Sequence, residues 1–346
     1  MEDGMPAFSD LLLRWYDRNR RSLPWRGQTD PYRIWISEIM LQQTRAEAVI
    51  SYYIRFLNAF PDVAALACAE QDEVLKLWEG LGYYSRARNL RAAARRVHFE
   101  WSDRFPTDAA GLRALPGIGP YAANAIASIA YGECVPALDG NQARVLSRVL
   151  AHEAPLKTPF DLEAEALLRM SRARPGDYNQ ALMDLGSAIC TPRAPKCAFC
   201  PVSEICRARI EGDPESYPRK APPIAKREED WVILLVQVGD AICVRRRESA
   251  GLLGGLYEFA SVEGAPSAEE ILQFLRESGF ESPAIQRELP PSKHVFTHRI
   301  WRMRGLLVAA ETCAPGFAPA KSLKPLAFPS ALRVYREIAA EVLGEA

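Results

Sequence analysis

The sequence is short of several things. It has no net charge, since 43 Lys and Arg balance 43 Asp and Glu among 346 residues. No global field draws it to a polyanion, and any nucleic-acid contact must be made by local sites. Long apolar runs are missing: a stretch such as Trp231–Val236 falls far short of the ~20 residues that span a bilayer. The acidic start MEDGMPAFSD lacks the basic-then-apolar order of an export signal. A cytoplasmic protein with no membrane partner is expected. Cysteine is sparse as well. Eight in a chain of this length do not make the disulfide framework of a small secreted scaffold. An apolar share of 48% with 25% charged residues excludes disordered and collagen-like chains, and the length suggests two domains, or three, at ~150 residues each.

What is present divides the chain. From residue 8 to about 210, apolar residues recur at helical spacing: Ala46, Val49, Ile50, Tyr53, Ile54 and Leu57, then Val74 to Trp78, Ala122 to Ala130, Ala143 to Leu150 and Ala164 to Met170. Pro31, Pro61, Pro106, Pro116 and Pro136 fall between these stripes, where helices start or stop. No strand pattern is visible, so residues 1–211 read as an all-α domain. Charge and proline then crowd the segment from Gly212 into the 220s, an exposed linker over 212–229. Residues 230–346 read as α+β. WVILLVQV and AICVRRR are strand-like around a Gly239-Asp240 turn, Ser267 and Glu270 form a capping box before a helix, His294 to Val308 is strand-like, and Ala331 to Leu343 is helical.

Four groups of residues could carry chemistry. Cys190, Cys197, Cys200 and Cys206 are separated by six, two and five residues. Four thiolates on a proline-broken loop can converge on one metal centre, either an iron–sulfur cluster or zinc, although zinc sites more often use two Cys-x-x-Cys knuckles. The other four, Cys68, Cys134, Cys243 and Cys313, lie in apolar surroundings and read as small core residues. LPGIGPYAANAIASIA, Leu115 to Ala130, places a Gly-x-Gly turn at a helix N-terminus. Gly117 and Gly119 there would let a phosphate approach backbone N–H groups, and an ordinary tight turn would read the same.

Glu38 is flanked by Ile36, Ile39 and Met40, so burial should raise its pKa and keep it protonated. Asp139 stands at the turn before a helix, where the dipole favours the anion. One acid and one anion are what cleavage of a glycosidic bond needs, but a surface helix residue and a helix N-cap would look alike in sequence. Trp25, Gln42, Gln43, Tyr83, Tyr84 and Tyr121 could enter a base stack or stack on an extruded base. Trp78 and Tyr53 read as core. Arg86, Arg88, Arg91, Arg95 and Arg96 form either a phosphate-facing strip or a solvated helix face.

Together, the LPGIG turn, the Asp of LDGN and the C-x6-C-x2-C-x5-C tail resemble the helix–hairpin–helix glycosylases of the endonuclease III superfamily. Within it, LPWR, SEIMLQQT, LWEGLGYYSRARNL, LDGN and NQALMDLG resemble the adenine DNA glycosylases of the MutY type. The resemblance implies a six-helix barrel with an iron–sulfur subdomain, a 4Fe-4S cluster on the four cysteines, and a monomer. The implied partner is double-stranded DNA in which adenine faces 8-oxoguanine or guanine. Glu38 would protonate the extruded adenine and Asp139 would stabilise the sugar cation, with Asn141 and Tyr121 orienting the pair. Trp25, Arg26 and Gln180 would line the adenine pocket, Gln42, Gln43 and Tyr83 would contact the opened stack, and Gly117 and Gly119 would hold phosphate.

Tyr121 stands where bifunctional relatives carry a Schiff-base Lys, which implies a monofunctional enzyme that leaves an abasic site. A glycosylase/lyase acting on oxidised pyrimidines and a silent binder of mismatched DNA are the alternatives. The hairpin departs from the family at Ala122 and Asn124. Residues 230–346 resemble a Nudix-like module that reads 8-oxoguanine and lack the magnesium-binding box of a Nudix hydrolase. Phe296, Thr297 and His298 stand where that family has Phe-Ser-His.

Overall fold

The computed structural model describes residues 7–219, 226–248, 253–296 and 298–345. They form two units, one from Met1–Ala69 and Asn89–Pro222 and the other from Glu70–Arg88 and Pro223–Ala346. The segment Glu70–Arg88, continuous in sequence with the helical half, belongs to the second unit. Among the described residues no helix is long and apolar enough to cross a membrane.

The helices are α1 (Phe8–Asn19), α2 (Pro31–Leu41), α3 (Ala46–Ala59), α4 (Val63–Cys68), α5 (Gln71–Leu77), α6 (Ser85–Trp101), α7 (Ala109–Leu112), α8 (Pro120–Tyr131), α9 (Gly140–Leu150), α10 (Glu163–Leu168), α11 (Pro175–Ala188) and α12 (Arg207–Ile210). Every helical stripe in the sequence falls within, or largely overlaps, one of them, and no strand occurs among the described residues up to 219. Local chemistry sets the starts. Pro31, Pro120 and Pro175 open α2, α8 and α11, where a missing N–H costs nothing. Asp30, Asp62 and Asp108 cap α2, α4 and α7 by accepting from backbone N–H groups.

Of these elements, α1, α9 and α11 share a core in which Leu12 and Tyr16 meet Val145, Val149, Leu182 and Leu185. The same cluster takes in Val202, Cys206 and Ala208, so the cysteine loop is tied to the body of the unit by apolar packing. α2 is buried on nearly every side, from Tyr32 to Met40 apart from Arg33, and packs against α3 and α8.

The second unit is built on a sheet of β1 (Arg227–Val238), β2 (Ala241–Arg246), β3 (Tyr257–Glu258), β4 (Ala260–Glu263), β5 (Ala284–Val295), β6 (Arg299–Ala309) and β7 (Ala318–Ala320), with α13 (Ala268–Glu277) and α14 (Arg333–Val342). The path runs β3-β2-β1-β6-β5, with β4 paired to β1 and β7 to β2. β1 and β6 are parallel over Arg227↔Arg299 to Gln237↔Ala309. Side chains alternate across the sheet. Ile233, Leu235, Trp301, Met303 and Leu307 face a core with Tyr335 and Ala339 of α14, while Val232, Leu234, Leu306 and Val308 face Ile271 and Leu275 of α13. The Ser267–Glu270 capping box is present at α13.

Two sequence expectations need correcting here. His294 to Val308 is not one strand: β5 ends at Val295, β6 begins at Arg299, and the two pair antiparallel, with Phe296 N–H donating to Arg299 O at 2.8 Å. Cys243 is no isolated core thiol, since it forms a disulfide with Cys313 across 70 positions of sequence.

Candidate active site

In the first unit Glu38, Tyr121, Asp139 and Asn141 line one open cavity with Trp25, Arg26, Gln42 and Gln43. The sequence could not bring the two carboxylates together; in the fold, where α2 packs against α8, both line the same cavity. Glu38 is 2% exposed and so is not a surface helix residue. Tyr121, the second residue of α8, donates its hydroxyl to Glu38 Oε2 at 2.9 Å. Burial pushes the Glu38 carboxyl above its ordinary range; the Tyr121 hydrogen bond and the Arg26 charge oppose this, and the Asp139 charge adds to it. Tyr121 is itself raised well above the usual phenol range by burial first, then by Glu38 and Asp139.

Asp139 is the N-cap of α9, as the plainer reading of the sequence had it, and it also faces the cavity. Its Oδ1 accepts from the N–H groups of Asn141 at 2.8 Å and Gln142 at 2.9 Å. Its Oδ2 accepts from Asn141 Nδ2 at 3.0 Å. Three donors fix the carboxylate beside the positive end of a helix. Gln142 completes a capping box and donates from Nε2 to Asn179 O, and Asn179 Oδ1 accepts from Ala137 N–H at 3.0 Å. Both amides are fully buried and clamp the turn that carries Asp139. Sequence reasoning missed Asn179 and Gln142, because buried amides carry no periodic signal.

Another buried network lies behind the cavity wall. Arg26 donates from Nη1 to Gln180 Oε1 at 2.6 Å and from Nη2 to Asp184 Oδ1 at 2.7 Å. Asp184 also accepts from Arg21 Nε at 2.9 Å and is 1% exposed. Gln180, expected on the pocket wall, is held behind Arg26 and is not among the lining residues. Arg26 Nε is buried with no partner among the described residues. Trp25 is buried too, edge-on to Tyr53 at 5.4 Å.

From Asp139 a chain of bonds runs toward the cysteines. Arg144 Nη2 donates to Asn141 Oδ1 at 2.9 Å and to Gly186 O at 2.8 Å, and its Nε donates to Cys190 O at 2.9 Å. Gly186 is close-packed at that contact, since a Cβ there would stand 3.0 Å from Asn141 Cβ. One turn along α9, Arg148 donates to Cys190 Sγ at 3.3 Å, Thr191 O at 2.7 Å and Pro192 O at 3.0 Å. Cys190, Cys197, Cys200 and Cys206 line one small cavity together with Arg148. Among the described residues no three or more His, Cys, Asp or Glu converge closely enough to hold a single metal ion.

The hairpin between α7 and α8 leaves Gly117 and Gly119 exposed. Gly117 has φ +76°, and a Cβ there would meet the Asn89 side chain at 2.6 Å; glycine is needed on both counts. Asn124, unusual for the resembled family, is buried. It accepts from Arg113 Nη2 and donates to Pro136 O, so it braces the hairpin. Ala122 is buried beside it.

Several other expected residues take different places. Gln43 is exposed with φ 58°, and Tyr83, in the second unit, is 49% exposed with φ 46°. That conformation is uncommon outside glycine. Tyr84 is buried and cannot wedge, while Trp78 and Tyr53 are core, as expected. The arginines of α6 are each anchored on backbone carbonyls, with Arg86 buried and Arg95 exposed. Arg86 donates to the Leu81 and Gly82 carbonyls, Arg88 to Gly254 O, Arg91 to Ala69 O, Arg95 to Ala67 O and Arg96 to Ala114 O. In the second unit the Phe296 ring turns inward, edge-on to Trp301 at 4.9 Å. His298 is exposed, and Thr297 lies outside the described residues.

A helical domain holding two carboxylates on one cavity, followed by a mixed sheet with helices on both faces, defines the class. Residues 36–170 match the model of the HhH-GPD superfamily base excision DNA repair proteins, and residues 231–337 match that of the NUDIX domain. The chain is 36% identical to the adenine DNA glycosylase of Homo sapiens over 88% of its length and 68% of that protein's. It is 39% identical to the adenine DNA glycosylase of Buchnera aphidicola subsp. Acyrthosiphon pisum (strain APS), over 87% and 86%. A solved thermostable thymine-DNA glycosylase superimposes with a TM-score of 0.55 at 30% identity, covering 59% of this chain and 95% of that one. The chain belongs to the adenine DNA glycosylase family.

Proposed function

We propose that this protein binds double-stranded DNA, extrudes an adenine that faces 8-oxoguanine or guanine, and hydrolyses its N-glycosidic bond to leave an abasic site. The observation that carries this reading is the pairing of a buried, protonated-leaning Glu38 with a three-donor-bound Asp139 on one cavity wall. Glu38 gives its proton to the imidazole ring of the base. The bond from sugar C1′ to the base breaks, its electron pair leaves with adenine, and the cation at C1′ faces the Asp139 carboxylate. Water then adds to C1′ and its proton returns to Glu38.

Tyr121 supplies a phenol and no amine, which supports hydrolysis over strand cleavage. Gln42, Gln43 and Tyr83 are assigned to the opened base stack, Gly117 and Gly119 to a phosphate, and Phe296, Thr297 and His298 to the base opposite adenine. Cys190, Cys197, Cys200 and Cys206 would hold a 4Fe-4S cluster. The four thiols line one small cavity, and soft sulfur donors suit an iron–sulfur cluster. When bound, the cluster would supply a cross-link holding that loop against Arg144 and Arg148.

The test is release of free adenine from duplexes with adenine opposite 8-oxoguanine, guanine or thymine. Release from the first two alone supports the proposal; release from none, or equally from all three, contradicts it.

A further inference from the structure

The segment that carries Tyr83 is held by the sheet unit. Tyr83 and Tyr84 are consecutive and face opposite ways: Tyr83 is 49% exposed and Tyr84 is buried. The Tyr84 hydroxyl donates to Phe328 O at 3.0 Å and accepts from Gly80 N–H at 3.4 Å, so one phenol joins the loop to the turn before α14. Glu79 is paired with Arg336 of α14, and the Arg336 guanidinium also lies over the Phe328 ring at 5.9 Å. At the start of the segment Asp72 Oδ1 accepts from Arg246 of β2 at 2.5 Å. Three ties from three elements of the sheet unit hold nineteen residues, Glu70–Arg88, that separate two parts of the helical unit in sequence.

The loop is also stiff within itself. Trp78 Nε1 donates to Gly82 O at 3.1 Å, and Arg86 holds the Leu81 and Gly82 carbonyls at 3.0 and 3.1 Å. A loop braced in this way can transmit the position of its anchors to Tyr83, whose ring also lies 5.7 Å from the Arg86 guanidinium and whose backbone already sits in the left-handed region.

We propose that Tyr84, Glu79 and Arg336 are positioning residues through which the sheet unit fixes the Tyr83 wedge. This inference rests on the assignment of Tyr83 to the opened base stack. On it, the sheet unit controls how far the duplex is opened as well as which base is read. The contacts decide the angle at which Tyr83 leaves the loop, and none of them is made to Glu38 or Asp139.

The experiment is a double-mutant cycle on the full chain. Tyr84→Phe removes one hydroxyl and keeps the ring; Arg336→Met breaks the Glu79 pair from α14 and keeps an apolar stem. Each is combined with Tyr83→Ala. Wedge entry is read by 2-aminopurine fluorescence beside the 8-oxoguanine, in protein also carrying Glu38→Gln so that no base leaves during titration. Base release is read separately in single turnover. Loss of one such hydrogen bond should lower wedge-dependent fluorescence and slow release by roughly threefold to tenfold, and neither variant should add to the effect of Tyr83→Ala.

Equal losses with and without Tyr83, or slowed release with full fluorescence, would overturn the inference. If the parent chain releases no adenine while Tyr84→Phe still lowers the fluorescence, the proposed activity fails and the wedge coupling stands.

Discussion

Tyr121 and Glu38, 83 positions apart in sequence, are joined by a single hydrogen bond of 2.9 Å on the cavity wall. The bond does two things. It fixes one oxygen of the carboxyl, and it occupies the phenol, so that the residue at this position of α8 orients the acid and offers no nucleophile.

Glu38→Gln should abolish base release, by a factor on the order of 10² or more for a lost general acid, and should stabilise the fold. The folded carboxyl is raised above its unfolded value, so whatever stability it contributes is present at acid pH and is lost as pH rises through the folded pKa. Thermal melting should therefore show the variant more stable than the parent at neutral and alkaline pH, and the two closer together at acid pH. Base release by the parent should fall along the same alkaline limb. A variant equally stable at every pH would remove the raised carboxyl from the account.

Asp139→Asn should separate the two roles of that residue. An amide oxygen can still cap α9 by accepting from Asn141 and Gln142 N–H, so stability should fall by about 1 kcal/mol or less. The negative charge toward the sugar is gone, and the single-turnover rate should drop by at least two orders of magnitude. Denaturant unfolding set beside the rate decides it; a stability loss that accounts for the lost activity would contradict the charge role.

Arg144→Met should weaken two places at once. It leaves Asn141 Oδ1, Gly186 O and Cys190 O without their donor, each lost bond costing about 1 kcal/mol. Base release should slow and the cysteine loop should become more sensitive to protease. Unchanged loop protection would mean that the bridge does not hold the loop.

Asp184→Asn tests the network behind the cavity. Removing one charge from a buried cluster with Arg21 and Arg26 should cost about 3–5 kcal/mol, measured by denaturant unfolding. Reduction of the Cys243–Cys313 disulfide should also lower stability, by about 2–4 kcal/mol for a loop of this length, with melting under thiol as the check.

Much of this was legible in the sequence because it is local. Proline marked where helices start or stop, the apolar stripes gave the helices, and Ser267 with Glu270 announced α13. Glu38 was readable as a buried acid because α2 is apolar around it, and Gly117 because its turn admits little else. What could not be read is long-range. The pairing of Cys243 with Cys313 joins the start of β2 to the loop beyond β6. Asp184 and Asn179 look like ordinary helix polar residues until burial shows what they hold. Between the end of β5 at Val295 and the start of β6 at Arg299 the sequence lacks the Asn-Gly signature that would have split one apparent strand into two. The α6 arginines look like a charged face because sequence does not show the carbonyls they meet, and Tyr84 looks as available as Tyr83 until one is seen to face inward.

The central claim is tested most directly by a single-turnover reaction on a duplex with adenine opposite 8-oxoguanine, analysed with and without an alkaline chase. The account predicts strand scission only after alkali, the mark of an abasic site left intact by a chain whose Tyr121 cannot form a Schiff base. Scission without alkali would show lyase chemistry and contradict the role given to Tyr121; no scission in either case, with tight binding to the duplex, would show that Glu38 and Asp139 do not cleave the bond.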